Sequence, residues 1–296
     1  MDLSVIVTSY GSPETLRRCL ESLDRQQDAA EIVVADCSPQ DPAPKLAIVF
    51  PRVRFLHFSS KQRVPQLRWS ALPHTSREVV AAVEARCVPE PDWCAILKRA
   101  HELNPEAPAI GGPVRVAAGA GAMETALYLC EYGHYAPPAC EQSSEVASSD
   151  LSGANLSYKR AALEAERDLL DGGRWETLLH LRWRQHGRPL LLSRATVEFH
   201  NTMRLADIVR QRFSYGRGYA ADRVERRPVP IRLAYAAFTL LLPALLVVRV
   251  LRDAKRSRIH IPGPRPLLWC VLFTTCWSAG EAVGYLFGSS SHQEIY

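Results

Sequence analysis

Short apolar runs alternate with helix-like segments through the amino-terminal third of this chain, and this alternation limits its fold more than any other feature. Residues 3–7 form the first run, and Leu16, Cys19, Leu20 and Leu23 then recur at the spacing of one helix face. Further apolar runs of strand length lie at residues 32–35, 53–58 and 79–83. Strands that alternate with helices pair in parallel through right-handed crossovers. The sequence therefore predicts an α/β fold, with a mostly parallel sheet between layers of helices.

Polar residues follow three of the predicted strands at the point where each strand ends. They are Ser9, Asp36 and Glu84. Because ligands of such sheets bind outside the carboxyl ends of the strands, we expect these side chains to lie together at a binding site. Ser12 is placed to cap the helix that follows the first strand, with Pro13 at its first position.

The middle of the chain has weaker patterns. Residues 114–150 are rich in small residues and show little periodicity, so we expect irregular structure there. Residues 152–158 are expected to form a loop and a strand. Two helices are expected after it, at residues 159–170 and 175–186.

The carboxyl-terminal part, residues 221–296, is predicted to be a membrane-anchoring region that follows a domain of residues 1–220. Its apolar stretches predict two helices, at about residues 231–251 and 266–287. Each is near the shortest length that spans a bilayer, about 20 residues. Pro243 can bend the first helix, and Glu281 interrupts the apolar surface of the second. They could be two short spans, which we favour, or a pair of helices lying in the interface.

Basic residues surround the first apolar stretch. Arginines crowd residues 204–265, although the net charge of the chain is only +5. Such clustering favours an anionic surface, either phospholipid headgroups or nucleic acid. Because the arginines coincide with apolar segments, we expect a membrane and no nucleic acid. No signal-peptide pattern precedes the first strand, so we expect the amino-terminal domain on the cytoplasmic side.

Eight cysteines are spread along the chain without a Cys-x-x-Cys pair or a neighbouring group of histidines. This spacing predicts neither a zinc site nor a disulfide framework. We expect the thiols to be reduced and mostly buried in the core.

Five segments carry recognisable motifs. They are Ser4-Val-Ile-Val-Thr-Ser-Tyr10, Ile32-Val-Val-Ala-Asp36, Glu84-Ala-Arg-Cys-Val-Pro-Glu-Pro-Asp-Trp93, Ser152-Gly-Ala-Asn-Leu-Ser-Tyr158, and Trp175-Glu176 followed by Arg182. In this order they resemble the family 2 glycosyltransferases of the GT-A fold, from the first strand to about residue 220. Each segment alone is a weak signal, whereas five in the family's order are specific.

The resemblance implies a site for a nucleoside diphosphate sugar, which includes Thr8 and Tyr10. Asp36 falls where the family contacts the nucleotide base, and a carboxylate can accept hydrogen bonds from a base N–H or from ribose hydroxyls. Arg63 and Arg68 fall where relatives place an arginine near the phosphates, and positive charge there would stabilise the leaving diphosphate. As alternatives, Asp36 could belong to an ordinary turn, and either arginine could be a solvated surface charge.

Residues 84–86, Glu-Ala-Arg, stand where the family has Asp-x-Asp. The resemblance implies that Glu84 helps to hold the nucleotide and that the last position binds a divalent cation, Mn²⁺ or Mg²⁺. Arg86 cannot ligate a cation but can pair with phosphate oxygens. Three interpretations stay open: Arg86 replaces the charge of the metal, a cation binds through Glu84 and other groups, or the site is inactive. His200 is the second candidate metal ligand, although a lone histidine after a strand is more often structural.

Glu176 aligns with the aspartate of the family's Glu-Asp motif when Arg182 is matched to the arginine that follows it. The resemblance implies inverting transfer, with Glu176 as the general base that takes a proton from the acceptor hydroxyl. An acid in the first turn of a helix could instead simply complement the helix dipole. The acceptor side of the site is predicted to contain Ser152, Gly153, Asn155 and Trp175.

The implied function is transfer of a sugar from a nucleoside diphosphate donor to a lipid, lipid-linked or glycan acceptor. The anchor predicts that this occurs at the cytoplasmic face of a cell inner membrane or plasma membrane. Because the Glu-Ala-Arg and Trp-Glu motifs are altered, an inactive scaffold that binds a nucleotide sugar or a membrane partner is the alternative.

Overall fold

The chain forms two compact units in a computed structural model that describes residues 1–26, 28, 31–136, 146–171, 173, 175–224 and 227–288. The first unit comprises Met1–Ala117 and Tyr135–Asn201, and the second comprises Ala118–His134 and Thr202–Tyr296. The expected boundary at residue 220 falls inside a helix of the second unit. A functional division into residues 1–220 and 221–296 therefore stays a prediction.

Strands and helices alternate along most of the first unit. The strands are β1 (Leu3–Ser9), β2 (Glu31–Asp36), β3 (Val53–His57), β4 (Val79–Glu84), β5 (Cys87–Pro89), β6 (Ala109–Gly111), β7 (Val114–Val116), β8 (Val146–Ser148), β9 (Asn155–Lys159), β10 (Leu190–Leu192) and β11 (Val197–Phe199). The helices of the whole chain are α1 (Pro13–Asp24), α2 (Ala43–Val49), α3 (Val64–Ala71), α4 (Trp93–Leu103), α5 (Ala122–Glu131), α6 (Arg160–Glu164), α7 (Arg167–Asp171), α8 (Glu176–Gln185), α9 (Leu205–Val224), α10 (Val229–Phe238), α11 (Leu242–Arg256) and α12 (Arg265–Phe287).

Within the described residues, the main sheet has eight strands in the order β3-β2-β1-β4-β9-β6-β10-β8. Only β9 and β8 run antiparallel to the others. A smaller sheet has the order β5-β11-β7. The predicted α/β class with a mostly parallel sheet is confirmed.

The first strand and helix show why the sequence folds in this way. All seven residues of β1 are buried, which a strand between two parallel neighbours requires. The side chain of Ser12 accepts a hydrogen bond from the amide of Glu14 and caps α1, with Pro13 at its first position. The predicted apolar face of α1 is buried, at Leu16, Cys19, Leu20 and Leu23.

Strand register brings the predicted strand-end residues together. Thr8 of β1 lies opposite Glu84 of β4, and Ser9 lies opposite Asp36 of β2. Because β9 is antiparallel to β4, with Val83 opposite Asn155, β9 begins where β4 ends. The loop before β9 therefore lies at the carboxyl ends of the parallel strands.

Two expectations for the middle of the chain were wrong. Residues 114–150 include β7, β8 and a regular helix, α5, although residues 137–145 lie outside the described part. Six consecutive residues of α5 are buried, so that helix lacks the polar face that produces visible periodicity. The helix expected at 159–170 is two short helices, because the amide of Glu166 bonds to Leu163, three residues back, where the first ends. The helix expected at 175–186 is confirmed as α8.

The second unit contains the two predicted apolar helices. The second of them is confirmed as α12, which continues through Glu281. The first is two helices, α10 and α11, with a bend of 59° between them, where Pro243 was expected to bend a single helix. Pro243 stands in the first turn of α11, where it has no N–H to continue a helix from Thr239.

By length and composition, α12 is able to cross a bilayer, and α10 and α11 meet the same measure only as a bent pair. Core helices of water-soluble proteins can share these properties, so they do not establish a span. The described cysteines are free thiols; all but Cys276 are buried, which confirms their predicted place in the core, and Cys140 lies outside the described residues.

Candidate active site

Asp36 is buried at the end of β2 and is held by two neighbours. Its carboxylate accepts hydrogen bonds from the hydroxyl of Ser38, at 2.6 Å, and from the Ser38 amide, at 3.0 Å. Nδ1 of His57 lies 2.9 Å from the same carboxylate. The sequence interpretation missed His57, although it is the last residue of β3 and lies opposite Asp36 in the sheet. The same strand-end argument would have found it.

Glu84 and Arg86 form a buried pair at the end of β4. Nε of Arg86 donates to Oε2 of Glu84 at 2.9 Å, and the hydroxyl of Tyr10 donates to the same oxygen at 2.8 Å. Burial raises the pKa of Glu84, but the charges of Arg86 and Arg68 and these two hydrogen bonds outweigh it, so the pKa is lowered. Glu84 is therefore an anion whose charge is balanced from within the protein.

Arg68 of α3 connects the acceptor-side loop with Glu176. Its guanidinium forms an ion pair with Glu176, and Nη2 donates to the carbonyl of Gly153 at 2.7 Å. Both charged side chains are buried, with exposed fractions of 1% and 6%. The charge of Arg68 also lowers the pKa of Glu84. One guanidinium therefore interacts with two of the predicted site carboxylates, Glu84 and Glu176. Asp36, Glu84 and Glu176 thus belong to the same edge of the main sheet.

The acceptor-side residues form a tightly bonded loop. Oδ1 of Asn155 accepts from Trp93 Nε1 at 2.8 Å, and its Nδ2 donates to two carbonyls, those of Pro113 and Ala195. These bonds occupy both amide N–H groups, so Asn155 fixes the loop rather than presenting donors to a ligand. The hydroxyl of Ser152 accepts from the amide of Ala154 at 3.3 Å.

Gly153 faces the Arg68 and Glu176 pair. A Cβ atom at this position would lie 3.4 Å from Oε1 of Glu176 and 3.5 Å from Nη1 and Nη2 of Arg68. A Cβ atom at Gly153 would therefore make ordinary van der Waals contacts with this buried pair. Trp175 occupies the N-cap position of α8, directly before Glu176, without a side-chain capping hydrogen bond.

The remaining residues predicted to bind the sugar donor differ in their burial and contacts. Thr8 is fully buried, and its hydroxyl lies 3.5 Å from the carbonyl of Val83, inside the sheet. Arg63 is partly exposed at the start of α3, and its amide donates to Gln66 Oε1 at 3.3 Å. Arg68 contacts both Gly153 and Glu176.

The predicted metal ligands do not fit a divalent cation. Glu84 is already bonded to Arg86 and Tyr10, and Nε2 of His200 lies 2.9 Å from Oε1 of Glu198. Hard cations need several oxygen ligands, and among the described residues no three acidic, histidine or cysteine side chains form a group that could hold one. A guanidinium stands where the second carboxylate would be needed.

Buried His180 and partly exposed Asp150 form a second pair, which the sequence interpretation missed and which anchors α8 near the acceptor-side loop. Nδ1 of His180 lies 2.7 Å from Asp150 Oδ1, and its Nε2 lies 3.2 Å from the hydroxyl of Tyr158. Burial raises the pKa of Asp150, but the hydrogen bond and charge of His180 outweigh it and lower the pKa. His180 is one turn after Glu176, so this pair fixes the helix that carries Glu176.

A cavity of about 520 Å³ lies beside α3, α6 and α7. Its lining includes Gln66, Ser70, Thr75 and Arg160, and none of the three site carboxylates. This cavity is therefore separate from the edge where Asp36, Glu84 and Glu176 lie.

Comparisons with known proteins agree with this architecture. The model of the family described as glycosyl transferase family 2 matches residues 4–166. The solved structure of the mannosyltransferase PcManGT from Pyrobaculum calidifontis, in complex with GDP-Man and Mn²⁺, is similar with a TM-score of 0.56 and 16% identity, over 97% of this chain and 88% of that chain. TarS residues 1–349 from S. aureus is similar with a TM-score of 0.52 and 15% identity, over 96% and 91% of the two chains. No curated protein sequence matches the chain.

Proposed function

Because the chain belongs to glycosyl transferase family 2, we propose that it transfers a sugar from a nucleoside diphosphate donor to a lipid, lipid-linked or glycan acceptor, with inversion. The observation that carries this proposal is the meeting of strand ends, which relates Asp36, Glu84 and, through Arg68, Glu176 at one edge of the sheet. Ligands of parallel sheets bind at this edge.

The donor is proposed to bind over β1, with its base near Asp36. A carboxylate can accept about four hydrogen bonds. At Asp36, the Ser38 amide, the Ser38 hydroxyl and the His57 ring occupy three of these positions. One position is then left for a base N–H or a ribose hydroxyl. The similar mannosyltransferase was solved in complex with GDP-Man, which supports a nucleoside diphosphate sugar as the class of donor.

Glu176 is proposed to be the general base. As the acceptor oxygen attacks the anomeric carbon, its proton passes to Glu176, and the bond between the sugar and the diphosphate breaks with its electron pair on the diphosphate. Glu176 lies in the first turn of α8 and faces Gly153 in the loop before β9. Arg68, already beside Glu176 and near Glu84, is proposed to stabilise the charge of the leaving diphosphate.

The second unit is proposed to attach the protein to a membrane, with the catalytic residues on the cytoplasmic side. Leu241, Leu245 and Val248 lie at helical spacing and are 50% to 63% exposed. Arg252 extends the same face by one turn and is also exposed. Apolar side chains bordered by arginine suit the boundary between acyl chains and anionic headgroups. This proposal places the helices along the interface, whereas the sequence favoured two spans; two spans are now the alternative mode of attachment.

Activity is tested by incubating the purified full chain with nucleoside diphosphate sugars and measuring release of the nucleoside diphosphate, alone and with candidate acceptors. The native protein is expected to exceed Glu176→Gln. Equal rates for both proteins, with donor binding retained, would instead favour the inactive scaffold. The internal pairing of Glu84 with Arg86 and of Glu176 with Arg68 is the observation that favours that second candidate.

Membrane attachment is tested by co-sedimentation with vesicles of neutral phosphatidylcholine, with and without anionic phosphatidylglycerol. Leu245→Gln is expected to weaken binding, whereas Leu103→Gln, which changes an exposed leucine of α4, serves as the matched control. Release from cell membranes by detergent but not by salt is expected, because apolar insertion does not depend on ionic strength. Complete release by salt alone would contradict the apolar attachment.

A further inference from the structure

We propose that Arg86 takes the place of a divalent cation at the donor diphosphate, so that this protein binds its donor without a metal. The inference rests on the proposed function, because it concerns the diphosphate of that donor. It departs from the similar mannosyltransferase, which was solved with Mn²⁺. The argument has three parts: the position of Arg86, its electrostatic setting and the ligands available to a cation.

The backbone around Arg86 is held on both sides. Arg86 lies in the short connection between β4 and β5, and its carbonyl accepts a hydrogen bond from the amide of His200 at 2.8 Å. The neighbouring amide of Ala85 donates to the carbonyl of Thr8 at 2.8 Å. The guanidinium is therefore presented from a fixed point at the carboxyl ends of β1 and β4.

The guanidinium of Arg86 lies between aromatic rings and a carboxylate. Its central carbon is 5.9 Å from the ring centre of Tyr10 and 5.2 Å from that of Phe199, both within the range of cation–π attraction. Nε bonds to Glu84, and only 9% of the side chain is exposed. These contacts orient a permanent positive charge, and a guanidinium can pair with two phosphate oxygens at once.

A cation bound through Glu84 would have to compete with this arrangement. It would share a single carboxylate with the Arg86 guanidinium and be repelled by it. Arg68, whose charge also lowers the pKa of Glu84, adds to that repulsion. His200 is paired with Glu198 and brings no further oxygen ligand. The positive charge that the diphosphate requires is thus supplied by arginine at the position that would otherwise hold a metal-binding aspartate.

The native full chain provides the first test. Affinities for GDP, UDP and dTDP are measured by isothermal titration calorimetry in EDTA, and again with Mn²⁺ or Mg²⁺. We expect at least one nucleoside diphosphate to bind in EDTA with an affinity within about threefold of that with a cation. Binding only when a cation is present would overturn the inference and leave the proposed function intact. Failure of every nucleotide under both conditions would overturn the proposed function itself.

Substitutions at Arg86 provide the second test. In EDTA, Arg86→Gln is expected to weaken binding of the diphosphate at least tenfold and binding of the corresponding monophosphate much less, while Arg86→Lys retains part of the affinity. Arg86→Asp restores the family's second acid and is expected to make binding rise at least tenfold when Mn²⁺ is added. Arg115→Gln, which removes an exposed arginine paired with Glu90, is the control and should leave affinity unchanged. Equal loss for monophosphate and diphosphate in Arg86→Gln would contradict a contact with the diphosphate.

Discussion

Arg68 and Glu176 form an ion pair in which both side chains are almost completely buried. The same guanidinium donates to the carbonyl of Gly153 and acts on the charge of Glu84. A residue of α3 thereby joins the start of α8 to the loop that precedes β9. The proposed base is consequently held by a partner that also faces the region where the diphosphate would lie.

Glu176→Gln is expected to lower the rate of sugar transfer by a factor of about 10²–10⁴, the usual contribution of a general base. The amide is nearly the same size as the carboxylate, so nucleotide binding should be retained. It cannot, however, take the proton of the attacking hydroxyl. Transfer rates and nucleotide affinity are measured in parallel. Glu164→Gln, an exposed residue of α6, is the matched control and should behave as the native protein. A Glu176→Gln variant with native transfer rates would exclude Glu176 as the base.

Arg68→Met is expected to destabilise the protein by about 3–5 kcal/mol, because it leaves the buried Glu176 carboxylate without its partner. Combining it with Glu176→Gln should recover much of that loss, since the unpaired charge is then removed as well. Urea unfolding of the native protein, both single variants and the double variant gives the coupling free energy. Strictly additive effects of the two substitutions would show that the coupling free energy between Arg68 and Glu176 is zero.

At acid pH, the protein should lose the stability that the ionised Glu84 side chain gives to the fold. The pKa of Glu84 is lower in the folded protein than the value of about 4.3 in an unfolded chain. Its ionisation therefore stabilises the fold fully above the unfolded pKa, and this contribution is lost as the pH falls through the folded pKa. The difference in unfolding free energy between native protein and Glu84→Gln should shrink below about pH 4.3.

Unfolding in urea between pH 3 and 7 measures this difference, with Glu21→Gln as the control. Glu21 is partly exposed on α1 and pairs with Arg17, a surface contact expected to contribute at most about 1 kcal/mol. A difference for Glu84→Gln that does not change with pH would contradict a lowered pKa.

The sequence predicted those parts of the site that depend on strand periodicity. The proximity of Asp36 and Glu84 could be predicted, because residues at the carboxyl ends of parallel strands lie on the same side of the sheet. The ion pair of Arg68 with Glu176 could not, because α3 and α8 are more than a hundred residues apart in the chain. No local pattern records which face of α3 meets α8.

The same limit explains the errors in the fold. The helix α5 was missed because burial on most of its sides removes the contrast between apolar and polar faces. The break between α10 and α11 had a local signal in Pro243, which predicted a bend, but that signal alone does not distinguish one bent helix from two helices. Composition measures how apolar a segment is, whereas a missing N–H decides whether the helix continues.

Two glycines of α9 provide a matched test of packing within the second unit. A Cβ atom at Gly216 would lie 2.2 Å from the carbonyl oxygen of Trp277 in α12, whereas one at Gly218 would meet no atom within 4 Å. Gly216→Ala is therefore expected to destabilise the packing of α9 on α12 by about 1–3 kcal/mol. Gly218→Ala should be neutral or stabilise by about 0.5–1 kcal/mol, because alanine is the better helix former.

Thermal unfolding of the full chain in detergent compares the two variants, and both have the same change in composition. A lower melting temperature for Gly216→Ala alone is expected. Gly280→Ala, on the facing helix, should behave like Gly216→Ala, because its Cβ would lie 2.0 Å from the carbonyl oxygen of Phe213. Since backbone atoms of two helices cannot move aside as a flexible side chain can, equal melting temperatures for Gly216→Ala and Gly218→Ala would mean that α9 and α12 are not in direct backbone contact.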